Sequence, residues 1–323
     1  MNLPKSDSKK NKLNHSKKIE LYKKIINKSF SNKSNSKKEK RLNRSQNYKE
    51  INEFDSTQIT LVKNPNILKN HNFPSFTYIG TDGFTSLEFN LYKDETIRVN
   101  NGMLNFMDSN IETITKTNSF WKGFMRKLSG SSFFFNLFTN TSETPQRLHL
   151  SSPFIGNIYA FYIPPHTKFY TIESSYICST PNIDVTTKFK LGGLLTGYGV
   201  TYVKAKTNDT AGLLWVSSFG PIVPMVIKPN ESIKIDNGIL LGFGENITMN
   251  TRLFNGVKGL FFSGEGLVTE IKNENKLNEG KNIIIYLQSK SLYSFANYIS
   301  SSMKSYSLIS ASTKSSTIGI QLK

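Results

Sequence analysis

The residues of this chain that could do chemistry are few, and their spacing suits little of it. A single cysteine, Cys178, excludes an internal disulfide framework and a multi-cysteine zinc or iron–sulfur site. The four histidines, His15, His71, His149 and His166, show no ligand spacing between any two, so no metal site is expected. Serine is abundant, yet no G-x-S-x-G elbow occurs, and neither His149 nor His166 has an acid partner by spacing. The carboxylates are scattered and largely at turns, which leaves no acid/base pair to assign. The pairs GYG (Gly197 to Gly199), GFG (Gly242 to Gly244) and GEG (Gly264 to Gly266) look superficially like nucleotide loops. A phosphate loop needs a strand before it and a helix N-terminus after it, and the P-loop form adds Lys-Ser/Thr. Neither context occurs, so these read as hairpin or bulge glycines. The expectation is a protein that is not an enzyme, with no catalytic residue, no cofactor and no metal.

Two constellations remain. The phrase Asn-Ile-x-x-x-Thr-Lys/Arg occurs three times, as NIETITK, NIDVTTK and NITMNTR, and ends each time on a cation: Lys116, Lys188 and Arg252. Equivalent places in three repeats would make them a candidate anion-binding ring, able to hold a phospholipid headgroup. The alternative is three solvated strand residues far apart. The second constellation is SFWKGFMRKLSG, Ser119 to Gly130, where Phe120, Trp121, Phe124, Met125 and Leu128 recur at helical spacing beside Lys122, Arg126 and Lys127. Aromatics flanked by cations suit an anionic headgroup region, which makes Phe120, Trp121, Lys122, Phe124, Arg126 and Lys127 a candidate membrane or partner contact. Packing between repeats is the alternative.

The elements that must position these groups are short strands. From about Pro74 to Ile299, alternating apolar runs such as LEFNLY, TIRV, IKID and LLWVSS are broken by Gly, Asn-Gly and Pro. The sequences NNG at Asn100 to Gly102 and DNG at Asp236 to Gly238 read as tight turns. Each Asn-Ile phrase is followed by a Gly-bearing loop and then Ser/Thr-Gly, at Gly130, Gly197 and Gly264, which are evenly spaced. The first of those loops is the longest. Openings match as well, DETIRVNNG against NESIKIDNG, with HTKFYTIESS as the middle counterpart. Three fused β units most simply make a pseudo-threefold object in which neighbours cover each other's strand edges. The expected fold is therefore all-β, with residues 74–299 as a three-repeat domain and 57–73 as a linker. Residues 1–56, rich in Lys, Asn and Ser, read as a disordered basic extension, and 300–323 as a Ser-rich tail. Of the formal charge of +18, the first fifty residues carry +12 through 16 basic and 4 acidic residues, leaving +6 for the rest. The basicity thus belongs to a tail. No apolar run approaches the roughly 20 residues of a membrane helix, and residues 1–30 lack the apolar core of a secretory signal.

The phrases GMLNFMDSNIETITKT, LSGSSFFFNLFT, LSSPFIGNIYAF and FSGEGL, and a closing LQS, resemble the family of Altered Inheritance of Mitochondria protein 24 and its bacterial relatives. The likeness covers roughly residues 74–298. It implies three units similar to the tryptophan RNA-binding attenuation protein, set about a pseudo-threefold axis, and an association with the mitochondrial inner membrane and its shaping complexes. It carries over no catalytic residue. Where family members favour Gly-Glu after the first repeat's Ser-Gly, this chain has Ser131-Ser132. The functional expectation is a mitochondrial scaffold, peripheral to the inner membrane, that contacts a membrane-associated complex or an anionic surface. A nucleic-acid-binding β module using the basic N-terminal tail is the alternative, disfavoured because no basic aromatic platform recurs in all three units. The sequence leaves the oligomeric state open.

Overall fold

A computed structural model describes residues 54–114, 135–191, 200–253, 267–274, 280–292, 294–296 and 298–303. Among the described residues twenty strands carry the architecture, and after two leading strands they fall into three sets of six. The leaders are β1 (Thr60–Val62) and β2 (Ser75–Thr81). The first set is β3 (Phe84–Leu91), β4 (Thr96–Asn100), β5 (Leu104–Met107), β6 (Ile111–Ile114), β7 (Phe135–Asn140) and β8 (Gln146–Ser151). The second is β9 (Asn157–Ile163), β10 (Lys168–Ile172), β11 (Tyr176–Ser179), β12 (Ile183–Leu191), β13 (Val200–Thr207) and β14 (Gly212–Ser218). The third is β15 (Ile222–Ile227), β16 (Ser232–Asp236), β17 (Leu240–Phe243), β18 (Thr248–Leu253), β19 (Leu267–Lys272) and β20 (Ile283–Gln288).

One antiparallel pairing scheme holds in every set. The first strand pairs with the sixth, as β3–β8, β9–β14 and β15–β20. The fifth lies between the second and the fourth, so β7, β13 and β19 are each flanked on both sides. The third adds to the sixth, and in all three cases a register shift falls at the same point, at Asn105, Ile177 and Leu241. The three Asn-Ile phrases lead into the fourth strands, β6, β12 and β18.

Local chemistry explains the shared turns. Asp94, His166 and Asn230 stand just before the second strands with φ of 65, 54 and 62°. Asp and Asn tolerate this left-handed region better than most residues. The next residue caps the turn: a Glu95 carboxylate oxygen accepts from Tyr92 N–H at 2.8 Å, and Glu231 accepts from Lys228 N–H at 3.1 Å. In the second set that amide belongs to Pro164, which has no N–H to give. There the glutamate is replaced by Thr167, whose hydroxyl donates to Pro165 O at 3.0 Å. A buried polar side chain then ties the end of each fifth strand to the end of the first. Asn140 Nδ2 donates to Leu91 O and Thr144 O, both at 2.9 Å, and Asn273 Nδ2 to Ile227 O at 2.8 Å and Lys281 O at 2.9 Å. In the second set the Thr207 hydroxyl donates to Pro164 O, one residue past the end of the first strand. All three side chains are wholly buried, so each donor needs its acceptor.

Two hydrophobic clusters fill the interior. One packs around Phe161, Phe169, Tyr202 and Tyr286; the other sets the Trp215 ring edge-on to Phe76 at 5.1 Å and Phe89 at 4.9 Å. Residues 57–73, expected as a linker, contribute Leu61, Val62 and Leu68 to this core. They supply β1, which pairs with β9, and a 3-10 turn, Pro65–Leu68. Tyr78 fixes the arrangement, its hydroxyl donating to Val62 O at 2.8 Å and accepting from Ala160 N–H at 2.9 Å, and burial pushes its phenol well up. Alternation alone undercounts a three-residue strand such as Thr60–Val62, which is buried on all three residues. At the other end, described residues between 292 and 303 are helical, so helix extends a few residues past 299 into the expected tail. The two predicted Gly turns differ. Gly102 has φ of 79°, as a tight turn requires, whereas Asn237–Ile239 is a 3-10 turn in which Asp236 caps Gly238 N–H at 2.8 Å. Gly238 is needed there for space, since a Cβ would stand 2.3 Å from Ser291 Oγ.

Candidate functional site: an unpaired strand edge

The sets are joined by one repeated seam, in which the third strand of a set pairs with the second strand of the set before. At the first seam β11 lies against β4, with Cys178 opposite Val99 and Ser179 opposite Arg98. At the next, β17 lies against β10, with Gly242 opposite Thr171 and Phe243 opposite Tyr170. These partners stand at matching distances from His166, Asp94 and Asn230, so the two seams share one register.

Both seams are sealed by side chains. Arg98, wholly buried, donates from Nη2 to Pro181 O at 2.8 Å and from Nη1 to Ile183 O, and its guanidinium lies 4.9 Å from the Phe135 ring centroid. Desolvation lowers its pKa. Asn100 Nδ2 donates to Tyr176 O at 3.0 Å, and burial pushes the Tyr176 phenol up to about 12. At the second seam the Thr171 hydroxyl donates to Leu241 O at 3.0 Å and the Tyr202 hydroxyl to Leu240 O at 2.8 Å. The Tyr170 and Phe243 rings stack at 5.2 Å, and Gly242 lets Phe169 approach, since a Cβ there would stand 2.5 Å from its ring. Gly242 of the GFG pair therefore serves packing.

The third seam would join β5 to β16, and among the described residues no strand pairing closes it. Each is the terminal strand of its sheet, β5 in β2-β3-β8-β5 and β16 in β16-β19-β18. Leu104, Phe106 and Met107 are 40, 43 and 37% exposed, while their counterparts Tyr176, Cys178 and Ser179, like Leu240 in the third set, are wholly buried. What holds β5 is its inner side and its end. Asp108 N–H donates to Arg147 O at 2.9 Å, and the Asp108 carboxylate accepts from Arg147 N–H at 2.8 Å and from Nη2 at 3.1 Å. Hydrogen bonds from Arg147 lower the Asp108 pKa. Thr180 makes the same staple at the end of β11, giving its N–H to Leu213 O at 2.9 Å and accepting from Leu213 N–H at 3.1 Å.

Behind the open edge runs a chain of polar side chains that sequence spacing could not assemble. The Ser151 hydroxyl donates to Asn105 Oδ1 at 2.7 Å, Asn105 Nδ2 donates to His149 Nδ1 at 3.3 Å, and His149 Nε2 meets Ser86 Oγ at 3.0 Å. The Phe106 ring stacks flat on His149 at 4.7 Å. Serine, histidine and asparagine in this order resemble a hydrolytic triad, but the proton runs the wrong way. With Nδ1 accepting from Asn105, Nε2 carries the hydrogen and donates to Ser86, whose own hydroxyl donates to Ile79 O at 3.3 Å. The histidine is then no base for the serine. Ser86 also sits inside β3, between β2 and β8, where ladder hydrogen bonds occupy the neighbouring amides that an oxyanion hole would need. The cluster braces the sheet face under Phe106.

Of the residues singled out from sequence, Phe120, Trp121, Lys122, Phe124, Arg126, Lys127 and Lys116 lie outside the described residues, as do Gly130, Gly197 and Gly264. For Lys188 and Arg252 the backbone is described. Lys188 falls at a register irregularity of β12 against β13, whereas Arg252 pairs regularly with Val268. Cys178 is wholly buried on β11. Among the described residues no group of histidine, cysteine and carboxylate side chains could hold a metal ion.

Residues 76–276, from the second leading strand to just past β19, match the model of the mitochondrial biogenesis AIM24 family. The chain belongs to the AIM24 family. No curated protein matches it in a direct sequence search. Among solved structures, a crystal structure of a Streptococcus pyogenes protein is similar with a TM-score of 0.54 and 19% identity, covering 71% of this chain and 99% of the other. At that identity the likeness is one of fold, and it agrees with the nearly all-β architecture. The AIM24 match attaches the chain to a mitochondrial biogenesis family. No described helix is long and apolar enough to cross a membrane.

Proposed function

We propose that this chain is a non-enzymatic mitochondrial scaffold, built from three like units, that supports a membrane-associated complex at the surface of the inner membrane. The observation that carries this reading is the AIM24 match, which runs from β2 to just past β19. Two features support contact with a lipid surface or a protein groove. The C-terminal helix exposes Phe295, Tyr298, Ile299 and Met303, spaced so that they share one side, and leaves them open to solvent to between 37 and 67%. The segment from Phe120 to Lys127 adds aromatic and basic residues of the composition that anionic interfaces favour. The non-catalytic part of the reading rests on where the polar groups are spent: His149, Asn105 and Ser86 brace a sheet face, and Arg98 and the buried asparagines hold backbone carbonyls. The test is fractionation of the native cell with protease protection and alkaline carbonate extraction. The reading expects the chain in mitochondria, protected by the outer membrane and released by carbonate. Recovery in the cytosol, or in a nucleic-acid-bound fraction lost on nuclease treatment, would overturn it.

A further inference from the structure

The open seam has two complementary halves on one chain. We propose that β5 of one copy pairs with β16 of a second copy, continuing between chains the seam used twice within the chain. Three observations carry this. The first is register. Both internal seams place matching residues opposite one another, and the same offsets set Phe106 opposite Ile235 and Met107 opposite Lys234. The second is the state of the edges. β5 reads Leu-Asn-Phe-Met, without the proline or lysine that guards an exposed strand edge, and its apolar side chains are open where their counterparts are sealed. The bulge, the end staple and the pairing with β8 are in place, so β5 already has the shape that β11 and β17 present to their partners. The third is that, among the described strands, β16 pairs with β19 alone and still carries the seam residues Lys234 and Ile235. A contact in which one patch meets a different patch is heterologous, so it closes when two copies exchange both edges and otherwise extends as a chain.

The single native thiol makes the test clean, because Cys178 is wholly buried and burial raises its pKa well above the ordinary thiol value. Full-length Met107→Cys and Lys234→Cys variants, each substituted at an exposed position, are mixed in equal amounts and oxidised mildly. A two-chain disulfide joining position 107 of one variant to position 234 of the other, in excess over products from either variant alone, is expected. The charge at position 107 should then tune self-association of the otherwise native chain. Cross-strand charge pairs shift strand pairing by about 0.2–1 kcal/mol, so Met107→Glu, facing Lys234, should tighten it roughly 1.5- to 5-fold. Met107→Lys should weaken it by a similar factor, and Met107→Lys with Lys234→Glu should restore it. Products only within the Met107→Cys variant would show β5 meeting β5 and overturn the proposal. A disulfide formed inside single chains of the double variant Met107→Cys/Lys234→Cys would overturn it too, because the seam would then close internally. Absence of any product at concentrations where light scattering detects self-association would place the contact elsewhere and also refute it.

Discussion

The seams at β11 and β17 and the edge at β5 are three versions of one design, and they differ in what stands opposite and in the residue at the bulge. In the closed versions the third strand carries Tyr176, Cys178 and Ser179, or Leu240, Gly242 and Phe243, and Arg98, Thr171 and Tyr202 seal them with hydrogen bonds to backbone carbonyls. In the open version the bulge residue is Asn105 rather than Ile177 or Leu241, and it turns to His149 and Ser151 instead of into a core. The difference teaches that the unit folds its third strand through internal contacts, the sixth strand and the end staple. The neighbouring set adds burial and does not create the strand.

If that is right, substitutions at equivalent positions should have unequal effects. The largest contrast is between Arg98 and Lys234. Arg98→Ala removes charge-assisted hydrogen bonds to Pro181 O and Ile183 O and leaves buried carbonyls without those donors, so denaturant unfolding should show a loss of about 3–5 kcal/mol. Lys234→Ala, at an exposed place on the open edge, should stay within about 0.5 kcal/mol. Equal losses would mean that the third seam is sealed in the folded chain. A smaller contrast sets Gly242 against Phe106. Gly242→Ala forces a Cβ to within 2.5 Å of the Phe169 ring and 3.0 Å of Tyr170 O, at a cost of about 1–3 kcal/mol. Phe106→Ala gives up a half-exposed ring and its stack on His149, about 1 kcal/mol or less at low protein concentration.

The smallest effect is electrostatic and concerns how the open edge is held. Hydrogen bonds from Arg147 put the folded pKa of Asp108 below the ordinary 3.8. Its contribution is therefore present above 3.8 and fades as pH falls through the lower, folded value. An NMR titration of the Met107 and Asp108 amides should show a midpoint below 3.8 that moves back up toward it in Arg147→Ala. Unchanged midpoints would mean that the staple does not act through this pair.

The all-β class was legible because alternation and turn residues are local signals. TIRV, IKID and LLWVSS lie in strands, as does LEFNLY up to Leu91, and the three Asn-Ile phrases lead into strands with equivalent pairing partners. The turn at Gly102 was legible for the same reason. Gly238 was misread because its need for space comes from Ser291, far along the chain, and the role of residues 57–73 was missed because β1 is only three residues long. The open seam could not be read at all. Leu104, Phe106 and Met107 look like core residues in any local window, and only the pairing partners of β11 and β17 show what is missing beside them. The Ser86–His149–Asn105 cluster was equally hidden, because the three side chains come from β3, β8 and β5 and meet only through two cross-strand registers.

Amide hydrogen exchange on dilute full-length protein tests the open seam most directly. The account predicts that amides of residues 176–179 and 240–243 exchange only with global unfolding, while the outward-facing amides of residues 104–107 exchange orders of magnitude faster. It also predicts that protection at 104–107 rises as protein concentration is raised. Protection at 104–107 that equals the other two segments at the lowest concentration, and does not change on raising it, would contradict the account.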